Sequence, residues 1–374
     1  MAEDSNDYLG LSRRDDGELA DRLTSWLGAQ PGVGAEVRVG DVDRPSTNGV
    51  SSETMLFEAS WGGEDHRFAA RLRPDPESYP IFPTYDLGRQ VEVMRLVGER
   101  TAAPVPKVHW YEPDEGPLGA PFFVMDRVEG QVPPDVMPYP FDDTWVSNAT
   151  PEERARLQAS SIDVLAAIHG LEATDDELAF LQPPGEGTLL RRHFEAEKAY
   201  YDWMRGDLRY PVLDRAFAWL EDHWPHHAEA GPTVVSWGDS RIGNMMYRDF
   251  APVAVFDWEM ATLGPRELDL SWFVFLHRFL DDIAVQYGMA GIPGFIDRDE
   301  VTQQYAAATG HEPRDLDWFL TYSAVRHGSI MVRAQGRSVH FGEQPAPADH
   351  EELVMHRATI DAMVEGRYWS SVGR

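Results

Sequence analysis

The stretch VVSWGDSRIGNMMYRDFAPVAVFDWE, residues 234–259, decides how the chain reads. Val234 and Val235 form a short apolar run leading into Asp239, and Asn244 follows in the next turn. Two more apolar runs, 245–247 and 253–256, flank a second turn and deliver Asp257. Short β-prone runs broken by turns predict a strand–turn–strand unit with its polar residues at the strand ends. A lone Asp or Asn there would be an ordinary turn residue. An acid, an amide and a second acid at this spacing are a candidate site.

Outward from this stretch, the chain divides. Residues 1–15 read as a polar tail, and Leu19, Leu23 and Leu27 give a helix over 16–27 one apolar face. Strands are expected at 37–42, 54–60 and 67–72, separated by turn residues at 45–49 and by Gly62-Gly63. A helix over 86–97 and strands at 107–111 and 122–128 follow. Beyond Glu129 the composition changes: Pro133, Pro134, Pro138 and Pro140 mark a loop. Thr150-Pro151-Glu152-Glu153 is a capping box with proline at the first helical position, and so a helix start. Further helices are expected over 187–204, 211–223, 268–281, 298–309, 314–335 and 350–367. The expected organisation is a mixed α/β first lobe, 1–128, and a mainly helical second lobe, 129–374.

Composition narrows the function classes. With 374 residues, 43% of them hydrophobic, the chain can build two packed lobes. It contains no cysteine, which removes disulfides and thiolate metal sites. The N-terminus lacks a basic segment followed by an apolar one, and no run approaches the ~20 apolar residues of a membrane helix. A cytoplasmic location is the resulting expectation. Net charge is −30, from 63 acidic and 33 basic residues, which disfavours nucleic acid and anionic membrane as partners.

The chemistry that suits the opening stretch is phosphoryl transfer, which needs positioning and charge neutralisation more than covalent work. Asp239 is the candidate catalytic base for an acceptor hydroxyl. Asn244 and Asp257 offer hard oxygen ligands for Mg²⁺.

The pattern GDSRIGN…DWE…GPRELDL resembles the signature of the aminoglycoside phosphotransferase superfamily. The branch it resembles is the phosphotransferase domain of acyl-CoA dehydrogenase family members, over roughly residues 35–340. The resemblance implies an α+β, protein-kinase-like, two-lobed fold: an antiparallel sheet with a helix, then a larger helical lobe. It also implies ATP and Mg²⁺ as cofactors and a small-molecule hydroxyl as acceptor, aminoglycosides and hydroxy acids among the candidates. A nucleotide-binding pseudokinase or sensor without turnover is the alternative. By the same resemblance Asp269 braces the catalytic loop, and Trp237 stands where the family usually has histidine. Arg241 would stabilise the transferring charge or else lie exposed.

In the first lobe the resemblance implies a phosphate-binding cation at Arg71, with Arg73 as its alternative because alternation puts both on one strand face. Gln90 stands where the family has the acid that pairs with this cation; Glu92 is nearby but points elsewhere on the helix. Asn48, Gly49, Ser51 and Ser52 lie in the turn expected to cover the phosphates with backbone N–H groups and hydroxyls. Residues 120–130, APFFVMDRVEG, resemble the hinge between lobes. That match has the Asp126 carbonyl and the Val128 N–H bonding adenine, and Met125 lining its pocket. Trp272, Phe273, Phe275 and Phe279 read as core. Tyr322, Arg326, His327 and Arg333 fall on a late helix of the kind that walls the acceptor cleft in this superfamily. His223, His226 and His227 read as a solvated surface rather than a metal site.

Overall fold

Along Glu53–Trp61 (β2) buried Met55, Phe57 and Ala59 alternate with more exposed neighbours, the pattern of a strand with one face against a core. It pairs antiparallel with Arg38–Asp43 (β1) and with Glu64–Leu72 (β3). The β2–β3 turn is Gly62-Gly63, both at positive φ, as a two-residue hairpin turn matching strand twist requires. Val108–Glu112 (β4) and Phe122–Asp126 (β5) complete a five-stranded antiparallel sheet in the order β1-β2-β3-β5-β4. In this computed structural model residues 16–34, 36–43, 53–75, 79–135, 138–141 and 143–371 are described.

Each face of the sheet has its own cover. Leu19, Leu23, Trp26 and Leu27 of Asp16–Gly28 (α1) pack with Phe57, Phe68, Ala70, Leu72 and Val124 in a small outer core. On the other face Val91, Met94 and Val97 of Leu87–Arg100 (α2) join Ala69, Phe123 and Met125 in the main core. Strand alternation therefore puts Arg71 on the Ala69 side, facing α2 and the second lobe.

The second lobe is helical. It contains Pro151–His169 (α3), Asp175–Leu178 (α4), Leu189–Arg205 (α5), Pro211–Asp222 (α6), His226–Glu229 (α7), Glu267–Gln286 (α8), Arg298–Thr309 (α9), Leu316–His340 (α10), Arg357–Val364 (α11) and Tyr368–Ser371 (α12). The Thr150 capping box that starts α3 is present, with Glu153 bonding back to the cap N–H. Between α7 and α8 run four short strands. Thr233–Ser236 (β6) pairs with Thr262–Pro265 (β9), and Met245–Arg248 (β7) with Ala251–Val255 (β8). Together with the sheet these elements form an α+β, two-lobed fold. No helix among the described residues is long and apolar enough to cross a membrane.

Three local expectations need correction. The expected helix over 350–367 is broken into a 3₁₀ turn, His350–Leu353, and α11. Val354 and His356 are buried between them, and the His356 ring bonds the Ala324 carbonyl of α10, so the chain unwinds to reach it. The strand expected to reach Val128 ends at Asp126. Strand β9 was not expected at all.

The lobes are tied at several points. Arg89 of α2 donates to the carbonyls of Leu181 (3.1 Å) and Ala261 (2.8 Å). The segment 79–82 crosses to the second lobe, where Tyr200 donates to the Ile81 carbonyl (3.0 Å) and Arg333 to that of Pro80 (2.8 Å).

Candidate active site

Asp239 sits in the loop that leaves β6. Gly238 precedes it at φ +93°, and a Cβ there would collide with the Met260 carbonyl, so only glycine permits this backbone. The loop then makes a single 3₁₀ turn, Ile242–Asn244, and enters β7. That turn brings the Asn244 side chain back onto Asp239: Nδ2 donates to the Asp239 carbonyl (3.0 Å) and to its Oδ2 (2.6 Å). With Nδ2 spent in this way, the Asn244 Oδ1 is the atom left to bind elsewhere.

The β7–β8 hairpin continues the register, with Phe256 N–H donating to the Asn244 carbonyl (2.9 Å). Asp257 is the next residue, so its side chain leaves the backbone beside Asn244. It adopts φ +59°, a left-handed conformation that costs energy in a residue with a Cβ. Two contacts hold it there. The buried Trp237 indole donates to the carbonyls of Phe256 (2.8 Å) and Asp257 (3.2 Å), and Arg71 Nη2 donates to Asp257 Oδ1 (2.9 Å).

Asp269, on the first turn of α8, is fully buried beneath the loop. Its Oδ1 accepts from Ser236 Oγ (2.8 Å) and Gly238 N–H (2.9 Å), its Oδ2 from Trp237 N–H (2.7 Å) and His169 Nε2 (2.9 Å). A carboxylate has about four acceptor positions, and all four are used. Burial alone would raise its pKa, but the His169 bond and the two backbone donors hold it below the ordinary range. The Tyr305 hydroxyl lies 2.6 Å from His169 Nδ1, which fixes the ring with its Nε2 proton toward Asp269.

Two arginines complete the floor. Arg241 bonds Asp239 through Nε (3.2 Å) and Asp135 through Nη1 (2.5 Å), so it is not an exposed surface group. Burial works against its charge, yet Asp239, Asp135 and Asp257 together raise its pKa above the ordinary value. Arg71 is likewise opposed by burial and raised by Asp257, Glu259 and Asp239. Arg73, the alternative, bonds Glu115 beyond the strand end. Of the two, Arg71 is the one that bonds Asp257.

The remaining sequence candidates scatter. Gln90 is buried on α2, but the hydrogen-bonding partner of Arg71 is Asp257, not Gln90; Glu92 faces solvent. Met125 is buried at the end of β5, opposite Ala69 and Val108. Asp126 pairs with the His109 ring (2.6 Å), and its N–H bonds the Lys107 carbonyl. Among the described residues the Val128 N–H makes no hydrogen bond, so the donor expected at the hinge is open. Asn48, Gly49, Ser51 and Ser52 lie outside the described residues. His223 stacks on Trp219, and no cluster of three metal-binding side chains occurs among the described residues.

Sequence reading missed three contributors. Trp272, read as core, donates its indole N–H to Asp239 Oδ1 (2.7 Å). His169 and Asp135 carried no local signal, because their partners lie a hundred residues away in the chain.

A match to the sequence pattern of the phosphotransferase enzyme family extends over residues 46–305. The chain belongs to that family. Its curated relatives include a probable acyl-CoA dehydrogenase of Arabidopsis thaliana, 24% identical over a 310-residue alignment that covers 78% of this chain and 35% of that protein. The phosphotransferase-family chain thus spans about a third of the length of this relative. Among solved structures, a putative aminoglycoside phosphotransferase from Ralstonia eutropha is 21% identical with a TM-score of 0.64, covering 93% of this chain and 97% of that one. A thermostable mutant aminoglycoside phosphotransferase in ternary complex with ADP and hygromycin B is 16% identical with a TM-score of 0.53, covering 92% and 97%. These likenesses establish the kinase-like fold of this family member.

Proposed function

We propose that the protein is an ATP- and Mg²⁺-dependent O-phosphotransferase acting on a hydroxyl of a small molecule, in the cytoplasm. One observation supports this reading above the others: Asp239, Asn244 and Asp257 leave adjacent backbone segments at one crevice floor, and Arg71 reaches that floor from the sheet. In this reading residues 1–128 bind the nucleotide and 129–374 carry the catalytic and acceptor residues.

Asp239 is the catalytic residue. Its Oδ2 accepts from Asn244 and its Oδ1 from Trp272, with Arg241 Nε 3.2 Å from both oxygens, so among the described residues three donors meet four acceptor positions and one is left for an acceptor hydroxyl. Hydrogen-bonded there, the hydroxyl is oriented for in-line attack. Its oxygen forms the new bond to the γ-phosphorus, the bond to the β-phosphate oxygen breaks, ADP leaves, and the hydroxyl proton passes to Asp239. Asn244 Oδ1 and the Asp257 carboxylate are oxygen donors of the kind Mg²⁺ takes, and the ion when bound neutralises phosphate charge. Arg71 would hold phosphate oxygens, together with the expected turn that includes residues 48–52, which lie outside the described residues. The open Val128 N–H, the Asp126 carbonyl and Met125 would receive the base. Arg241 pairs with Asp239 and would stabilise the charge that moves.

The test is an ATP-consumption screen over diverse hydroxyl metabolites and aminoglycosides, run beside Asp239→Asn. Turnover of an acceptor, lost by orders of magnitude in Asp239→Asn with nucleotide affinity nearly intact, is the expected result. ATP binding without transfer to any compound would replace the kinase with a nucleotide sensor.

A further inference from the structure

Arginine meets a carboxylate best through its fork, two parallel N–H groups on two oxygens. Arg241 does not meet Asp239 that way, although the two sit in one loop. Its Nε lies 3.2 Å from both Asp239 oxygens, while Nη1 donates to Asp135 Oδ2 at 2.5 Å. The shorter contact is with the acid that belongs to another segment. Several anchors place that acid. Four residues before it, Gln131 and Tyr247 of β7 exchange both backbone N–H···O bonds at 2.8 Å. Pro133 and Pro134 then restrict the approach. Beyond it, Tyr139 N–H donates to the Pro134 carbonyl (2.9 Å), and the buried Tyr139 hydroxyl lies 2.9 Å from His277 Nδ1 of α8. The catalytic loop leaves room for the pair: a Cβ on Gly243 would collide with Arg241 Nη1 and with Asp135 Oδ1.

Two acids thus share one guanidinium, and how they share it decides what Asp239 can do. Asn244, Trp272 and Arg241 take three of its four acceptor positions, and the fourth is the one a hydroxyl needs. We infer that Asp135 is a positioning residue, holding the Arg241 fork off Asp239 and so keeping that position open. This rests on the phosphotransferase reading above and adds a residue to it. Asp135 touches no reacting atom; it acts through Arg241. Once Asp135 is neutral, the strongest acceptor within reach of Nη1 is the Asp239 carboxylate, because a charged acceptor binds roughly twice as strongly as a neutral one. The fork then closes on Asp239 and takes the place of the hydroxyl.

The experiment uses Asp135→Asn, Asp135→Glu, Arg241→Gln and the double variant Asp135→Asn/Arg241→Gln. Nucleotide-free crystal structures locate the fork. Phosphate transfer from Mg²⁺-ATP is followed with water and with glycerol as plain hydroxyl probes. Asp135→Asn should bring Arg241 Nη1 within hydrogen-bond distance of Asp239. It should lower kcat by about 10–100-fold while KM for ATP stays within about twofold. Asp135→Glu, which keeps the charge, should recover most of that loss. In the Arg241→Gln background no fork remains to close, so adding Asp135→Asn should cost less than about twofold. A merely structural Asp135 would lower both backgrounds by the same factor, and that outcome would overturn the proposal. So would an Arg241 that keeps its distance from Asp239 in Asp135→Asn, or a kcat that this variant leaves unchanged; each leaves the kinase standing. A fork closed on Asp239 in Asp135→Asn, with no transfer by the parent protein to water, glycerol or the alcohols of the screen, would uphold the positioning role and overturn the kinase.

Discussion

Arg71 and Asp257, 186 residues apart in sequence, form an ion pair of 2.9 Å that joins the sheet to the loop after β8. Both side chains are mostly buried, so neither charge is well compensated by water. Removing one partner leaves the other stranded, which is the expensive half of breaking a buried pair. Arg71→Ala should raise KM for ATP by about 10–100-fold and lower kcat as well, because Asp257 loses the contact that holds its left-handed backbone. Arg71→Lys, which keeps the charge and loses the fork, should fall between the two in steady-state kinetics.

Trp272 offers a cleaner separation. Its indole N–H donates to Asp239 Oδ1 (2.7 Å), the shortest contact that oxygen makes among the described residues, and its ring is buried on α8. Trp272→Phe keeps an aromatic ring but deletes the donor. The carboxylate should then turn more freely, and kcat should drop about 10-fold with KM for ATP nearly unchanged. Thermal unfolding should register a loss of about 1–2 kcal/mol from the smaller ring.

These two pairs also explain what the sequence could convey. Periodicity and caps are local, so the start of α3 was legible, and α2 and strands β1 to β5 were legible to within about three residues at each end. Asp239 and Asn244 were legible because the turn that joins them is short. Strand β9 was not, since Thr262–Pro265 holds a glycine and a proline and becomes a strand only by lying beside β6. Arg71 and Arg73 share a face by alternation, and only the ends of the strand separate them. Trp272 looked like core because it is core; its donor role depends on where the β6 loop arrives. Likewise His356 interrupts an otherwise helical pattern to meet a carbonyl on another helix, and no neighbour in sequence announces it.

Several histidines are buried in neutral form. Burial lowers the His356 pKa from 6.5 to about 4, and that of His277 to about 3 with Arg278 adding to the effect. Below pH 6.5 the unfolded chain takes up protons that the folded one refuses, so stability falls with pH until the folded values are reached. The slope is at most about 1.4 kcal/mol per pH unit for each such histidine. Urea midpoints measured at pH 7, 6 and 5 should decline accordingly. His356→Gln retains a donor for the Ala324 carbonyl and no longer titrates. It should cost about 1–2 kcal/mol at pH 7, and the gap to the parent protein should narrow toward pH 5.

Arg333 supplies the last test, of the segment 79–82 that crosses to the second lobe. Its guanidinium lies 3.6 Å from the Tyr79 ring centroid and 4.7 Å from that of Trp203, while Nε holds the Pro80 carbonyl. Tyr79 is kept at φ +57°, an unfavourable backbone for a bulky residue, so the segment needs these contacts to stay seated. Beyond it, the N–H groups of Ile81 and Phe82 both donate to the Tyr85 hydroxyl, and these two amides report on the seating. Arg333→Ala removes the cation between the rings and frees the strain at Tyr79. Amide exchange at residues 81 and 82 should then accelerate about 5–30-fold, a local loss of about 1–2 kcal/mol, while amides in β2 and β3 exchange as before. Unchanged exchange at those two amides would mean that Tyr200, through the Ile81 carbonyl, seats the segment without help from Arg333.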